Sequence, residues 1–110
     1  MRSINELIPR LRQATENKKL RWESAPGGYT CAFGDYKIFV YEWSDPDNSS
    51  AGVTARLTKS ENRFETLDEV VADQFDSEFA EVSKLFLAAR RSALNVDDVI
   101  AGIEGLLDKL

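Results

Sequence analysis

Between Leu20 and Leu57 the chain falls into short runs of alternating or β-prone residues divided by turn formers, whereas before and after that stretch apolar residues recur at every third or fourth position. A chain that changes period from 3.6 to 2 and back is confined to an α+β architecture, because a helix collects side chains along one stripe and a strand alternates them between two faces. In the first segment Ile4, Leu7, Ile8, Leu11 and Ala14 are helically spaced. Ser3 followed by Glu6 has the form of a capping box. Pro9 removes a hydrogen bond from any helix it sits inside, so this segment either starts loosely and restarts at Pro9 or is kinked there.

In the middle segment Leu20, Trp22 and Ser24 alternate with Arg21 and Glu23 up to a turn at 25–28. Tyr29, Cys31 and Phe33 alternate with Thr30 and Ala32, and Gly34-Asp35 forms a tight connection to a β-prone run from Tyr36 to Ser44. Turn formers fill 45–50, after which Val53, Ala55 and Leu57 alternate with Thr54, Arg56 and Thr58. Connections of about two to six residues make sequential strands antiparallel neighbours, which predicts a meander of four strands. Trp22 is expected to fill the junction of helix and sheet. Residues 60–73 admit two readings: Arg63 to Leu67 adds a fifth strand, or Thr66 and Glu69 cap a short helix containing Val70 and Val71.

Phe75, Phe79, Val82, Leu85, Phe86, Ala89 and Ala93 then form one long helical stripe. Asn95 reads as a fresh N-cap with Asp97 and Asp98 in the first turn. Val96, Val99, Ile100, Ile103, Leu106 and Leu107 are expected to face inward from a final helix. The expected architecture is a single domain over 1–110: an N-terminal helix, an antiparallel meander of four or five strands, and two C-terminal helices packed on one sheet face.

The composition removes whole classes of chemistry. Among 110 residues there is no histidine and one cysteine, Cys31. Histidine-dependent triads, imidazole metal sites, internal disulfides and cysteine-rich zinc clusters are therefore excluded. Asp45, Asp47 and Asn48 resemble the start of a calcium loop, but Ser50 and Arg56 stand where an EF-hand needs glycine and glutamate. Glu69, Asp73 and Asp76 share a face if the long helix begins as early as Thr66, and they read as a solvated acidic face. No metal, cofactor or catalytic role is expected. Arg2 is followed by no apolar run before Glu6, Pro9 and Arg10, so the expected location is cytoplasmic with no membrane partner.

Fourteen basic and nineteen acidic residues give a net charge of −5. They are unevenly spread: residues 1–21 carry six basic and two acidic groups, the remainder eight and seventeen. The basic end reads first as a solvated face and second as a nucleic-acid contact, which an acidic chain disfavours. The run Tyr36 to Trp43 is apolar on both faces, with Tyr36, Ile38 and Val40 on one and Phe39, Tyr41 and Trp43 on the other. If helices cover only one face, the aromatic row is a recognition surface or a dimer interface; otherwise it is packed too. Arg90 and Arg91 complement the negative end of the long helix, and guanidinium groups there also suit anions.

The candidate binding residues are thus Phe39, Tyr41, Trp43, Arg90 and Arg91, serving a non-catalytic protein-interaction module that pairs with itself or a partner protein. The alternatives are a small anionic, nucleotide-like ligand beside Arg90 or Arg91, and nucleic-acid binding through the basic N-terminal helix.

Leu85, Ala89, Arg90, Arg91, Ala93, Leu94, Val96 and Asp97 form a Leu-x-x-x-Ala-Arg-Arg-x-Ala-Leu-x-Val-Asp segment, with Trp22 and Gly34-Asp35-Tyr36 upstream. In these residues the chain resembles a set of small bacterial and prophage proteins. The usual Leu-Tyr pair of that set is Leu85-Phe86 here. The resemblance implies the helix–meander–helix layout and a bacterial or prophage origin, and it carries no activity onto named residues.

Overall fold

The computed structural model describes residues 2–62 and 65–110. A single 3-10 turn at Ile4–Glu6 leads into helix α1 (Ile8–Glu16). Pro9 falls in the first turn of α1, where no intrahelical N–H is required, so the helix restarts rather than kinks. Ser3 makes no side-chain capping bond, and the expected capping box is absent.

Five strands follow: β1 (Glu23–Ala25), β2 (Gly28–Phe33), β3 (Tyr36–Asp45), β4 (Ser50–Lys59) and β5 (Thr66–Asp73). They pair antiparallel in sequence order, a pure meander. Pro26-Gly27 closes the first hairpin with Gly27 at φ +88°, and Gly34, at φ +59°, opens the second. Both are turn positions that need a positive φ. Of the two readings of 60–73, the strand is the one realised, and Thr66 to Val71 form no helix. Arg63 and Phe64, the expected start of that strand, lie outside the described residues. Glu69, Asp73 and Asp76 consequently share no helical face.

Helix α2 (Phe79–Ala93) begins one turn later than the apolar stripe suggests, and Phe75 is 83% exposed. Gln74 and Phe75 instead belong to the turn leaving β5, where the Asp73 carboxylate accepts from the Phe75 N–H. The register places Cys31, Ile38, Val40, Val53, Ala55, Val70 and Ala72 on one sheet face. They form a single core with Ile4, Ile8 and Leu11 from the N-terminal segment and Val82, Leu85, Phe86 and Ala89 from α2. Tyr29 and Phe86 close its β1–β2 end with ring centroids 5.6 Å apart. Burial raises the Cys31 thiol above its ordinary 9.0, with the Glu23 carboxylate adding to the effect.

Trp22 is the junction residue that the sequence leads one to expect. Its indole Nε1–H donates to Thr15 Oγ1 (2.9 Å), whose hydroxyl donates to the Leu11 carbonyl (2.7 Å). Its backbone N–H donates to Ser92 Oγ (3.0 Å), so one residue ties α1, the start of the sheet and α2 together.

Asn95, in the left-handed region at φ 52°, links α2 to α3 (Val96–Leu107) and makes no side-chain cap. Here one expectation fails. No residue of α3 is buried; Val99, Ile100, Ile103, Leu106 and Leu107 are 43–66% exposed. The reason is position. Helix α2 by itself runs over all five strands, the Ile4–Glu6 turn lies beside it on β4 and β5, and α1 packs on α2. Helix α3 follows beyond Asn95 and meets the other elements chiefly at α2. The radius of gyration is accordingly 15.6 Å, against roughly 13 Å for a compact chain of this length. No described helix is long and apolar enough to cross a membrane.

Candidate functional site

The structure places the five sequence-derived candidates on two separate surfaces. Phe39, Tyr41 and Trp43 lie on the sheet face turned away from α1 and α2, opposite in register to Arg56, Thr54 and Gly52. Arg90 and Arg91 lie on the solvent side of α2, which covers the other face.

The aromatic row is half-buried by its own strands. Phe39 and Tyr41 are tilted against each other at 5.4 Å. The Arg56 guanidinium sits 5.5 Å from the Tyr41 ring centroid, donates to the Tyr41 hydroxyl (3.1 Å) and bonds Glu69 (3.2 Å). Trp43 lies across Gly52, the pairing in which a large ring fills the gap left by a cross-strand glycine. The Trp43 indole N–H and the Thr54 hydroxyl are buried without a hydrogen-bond partner among the described residues.

A side chain at position 52 has no space. A Cβ there would stand 2.5 Å from Trp43 Cζ2 and closer still to the Ala72 carbonyl oxygen. Gly52→Ala is expected to cost about 1–3 kcal/mol, read as a lower urea midpoint at unchanged slope. Gly102→Ala, with nothing within 4 Å of the new Cβ, is expected to raise the midpoint, by up to about 1 kcal/mol of stability.

A crevice of about 380 Å³ lies where the ends of α1 and α2 meet the start of α3, lined by Lys18, Arg21, Arg91, Glu16, Asp97 and Asp98 among others. Its charges answer one another. Arg91 donates to Asp97 at 2.8 Å, and Lys18 Nζ is 3.6 Å from the same carboxylate. The Arg91 hydrogen bond, followed by the Lys18 charge, holds Asp97 below its ordinary 3.8. A lowered carboxyl pKa favours the folded state above the ordinary value, and the contribution fades as pH falls through the lowered one. A second, shallower hollow of about 470 Å³ places Arg90 beside Tyr29, Phe86 and Glu42.

The surface that the sequence reading missed is α3 itself. On a helical projection Val96, Val99, Ile100, Ile103, Leu106 and Leu107 fill one arc of roughly 120°. Glu104 and Asp108 border it, with Asp97 on the same side. The signal was present in the sequence as an amphipathic stripe. A helix buried in a core carries the same stripe.

These observations define a class by geometry, an α+β meander with two helices on one face and a third, amphipathic helix left outside the core. No protein-family model matches the chain, and neither a curated protein nor a solved structure matches it.

Proposed function

We propose that the protein is a non-catalytic protein-interaction module and that it acts by self-association through α3. The observation that carries this reading is the apolar arc of α3, exposed from Val99 to Leu107. Contiguous exposed aliphatic surface of this kind marks association sites in soluble proteins. A second copy is the occupant that the charges favour. The arc has an acidic border, and the same chain carries exposed basic surface at Arg90 and Arg91 and through residues 1–21. Two-fold pairing lays down both arms, so each contact counts twice toward the roughly 1,200–2,000 Å² that stable interfaces bury.

The aromatic row contributes less to this reading, because its rings already lie over neighbouring strands. An anionic ligand at Arg91 would compete with Asp97 at 2.8 Å. The test is sedimentation equilibrium on the full chain. The expected result is concentration-dependent growth from 12.4 kDa toward twice that mass. Ile103→Asp with Leu107→Asp is expected to hold the protein at 12.4 kDa with an unchanged circular dichroism spectrum. A wild-type chain that stays monomeric at several hundred micromolar, on the order of the weakest specific pairings, overturns the reading.

A further inference from the structure

The reading of α3 as an association arm leaves open which surface receives it, and the inference here rests on that reading. We propose that α3 seats on the outer stripe of α2 in a second copy, reciprocally, so that a two-fold dimer contains two equivalent arm-on-α2 contacts.

Helix α2 has two faces with different fates. Val82, Leu85, Phe86 and Ala89 are buried against the sheet. On the opposite side, helical spacing lines up Lys84, Leu87, Arg91 and Leu94, with Arg90 flanking them. Leu87 is 54% exposed and Leu94 44% exposed. This stripe is thus a short apolar row between cations. The arm is its counterpart, a longer apolar row with Glu104 and Asp108 on its border.

The pairing satisfies both kinds of surface at once. Leucines of α2 meet aliphatics of α3, while Lys84 and Arg90 face the acidic border and Arg91 stays on its own chain's Asp97. Arg90, Glu104 and Asp108 have no ion-pair partner among the described residues, and Lys84 has only the exposed Glu81 at 3.4 Å. The obvious rival is α3 lying against its own copy in the partner. Packed antiparallel, that arrangement sets acidic border against acidic border, which opposes association, whereas the α2 stripe offers cations on both flanks. Gly102 and Gly105 fall outside the apolar arc and leave open space beside it, so they do not obstruct close approach of the receiving helix.

The arm also cannot serve its own α2 in this structure. Asn95 in the left-handed region directs α3 away immediately after α2 ends, and the Asp97 bonds to Arg91 and Lys18 hold its first turn in that direction. Beyond that Asp97–Arg91 contact, the apolar arc of α3 and the Lys84–Leu87 part of the stripe both remain exposed in the same chain.

Charge exchange tests the seat. One variant carries Lys84→Glu and Arg90→Glu; the other carries Glu104→Lys and Asp108→Lys. Each alone places like charges at both contacts, and each is expected to dimerise at least roughly tenfold more weakly than wild type by sedimentation equilibrium. Mixed one to one, the two variants restore opposite charges at both contacts, and heterodimer formation at wild-type strength is expected. A Lys84→Glu, Arg90→Glu variant that dimerises like wild type overturns the α2 seat. So does a mixture that fails to rescue. The arm reading survives either result provided Ile103→Asp with Leu107→Asp still gives monomer, whereas a monomeric wild type removes both. Circular dichroism confirms folding of each variant, since all four positions are exposed.

Discussion

Trp22→Ala is expected to lower the melting temperature by on the order of 15–25 °C, the largest effect of any single substitution considered. Trp22 is 1% exposed and packs where α1, the sheet and α2 converge. Truncating a buried tryptophan costs about 3–5 kcal/mol, through lost transfer energy and the cavity left behind. Two bonds also depend on its placement. The indole N–H leaves Thr15 Oγ1, and the loosened backbone N–H is no longer held on Ser92 Oγ. A domain of this size has a total stability of about 5–15 kcal/mol, and each kcal/mol shifts its midpoint by roughly 4–8 °C. Trp22→Phe keeps most of the apolar volume and gives up the indole bond, so a smaller loss of about 1–2 kcal/mol is expected. Thermal melts followed by far-ultraviolet circular dichroism measure both. A fall of under about 5 °C for Trp22→Ala would mean that the three elements are held together by something other than this residue.

Removing residues 96–110 is expected to have the opposite profile, with association abolished and the domain's own stability hardly changed. No side chain of α3 is buried, so its loss opens no cavity. What it removes from the rest of the chain is the Asp97 contact with Arg91 and Lys18, an exposed ion-pair group of the kind that contributes little. A cooperative melt within about 3 °C of the full chain is expected, together with a monomer mass at every concentration. A truncated protein that melts far lower would show α3 to be part of the fold. One that still dimerises would place the interface elsewhere, and the row of Phe39, Tyr41 and Trp43 would be examined next. The contrast between Trp22 and α3 is informative because both are strongly apolar features of the same sequence.

Much of the architecture could be read from period alone. The shift to alternation at Leu20, the turn formers at 25–28, 34–35 and 45–50, and the long stripe ending at Ala93 correspond to β1 through β4 and to α2. Residues 60–73 are ambiguous in sequence because a short run of mixed polarity suits a half-buried strand and a short helix about equally. The β4 edge decided between them, since unpaired N–H and C=O groups along Gly52 to Thr58 are satisfied by pairing with residues 66–73. Phe75 carried the helical stripe one turn too far, because its spacing matched a helix that the Asp73 turn postpones.

The candidate site was less legible. Sequence placed Arg90 and Arg91 near the end of a helix, and they are there. It also grouped them with the aromatic row of β3, and the fold puts the two on opposite sides of the sheet. Linear spacing determines which residues share a face of one element. It does not determine which faces of different elements look the same way.

The same limit applies to α3. From its pattern alone the sequence determined that Val96 to Leu107 would form a helix with one apolar face, because the spacing of those residues allows no other regular structure. Burial of that face inside the domain was a separate matter, and only the tertiary structure decided it. Helix α2 crosses all five strands and, with the N-terminal segment, completes the core, so the third helix, which leaves α2 at Asn95, is left with most of its apolar arc in solvent.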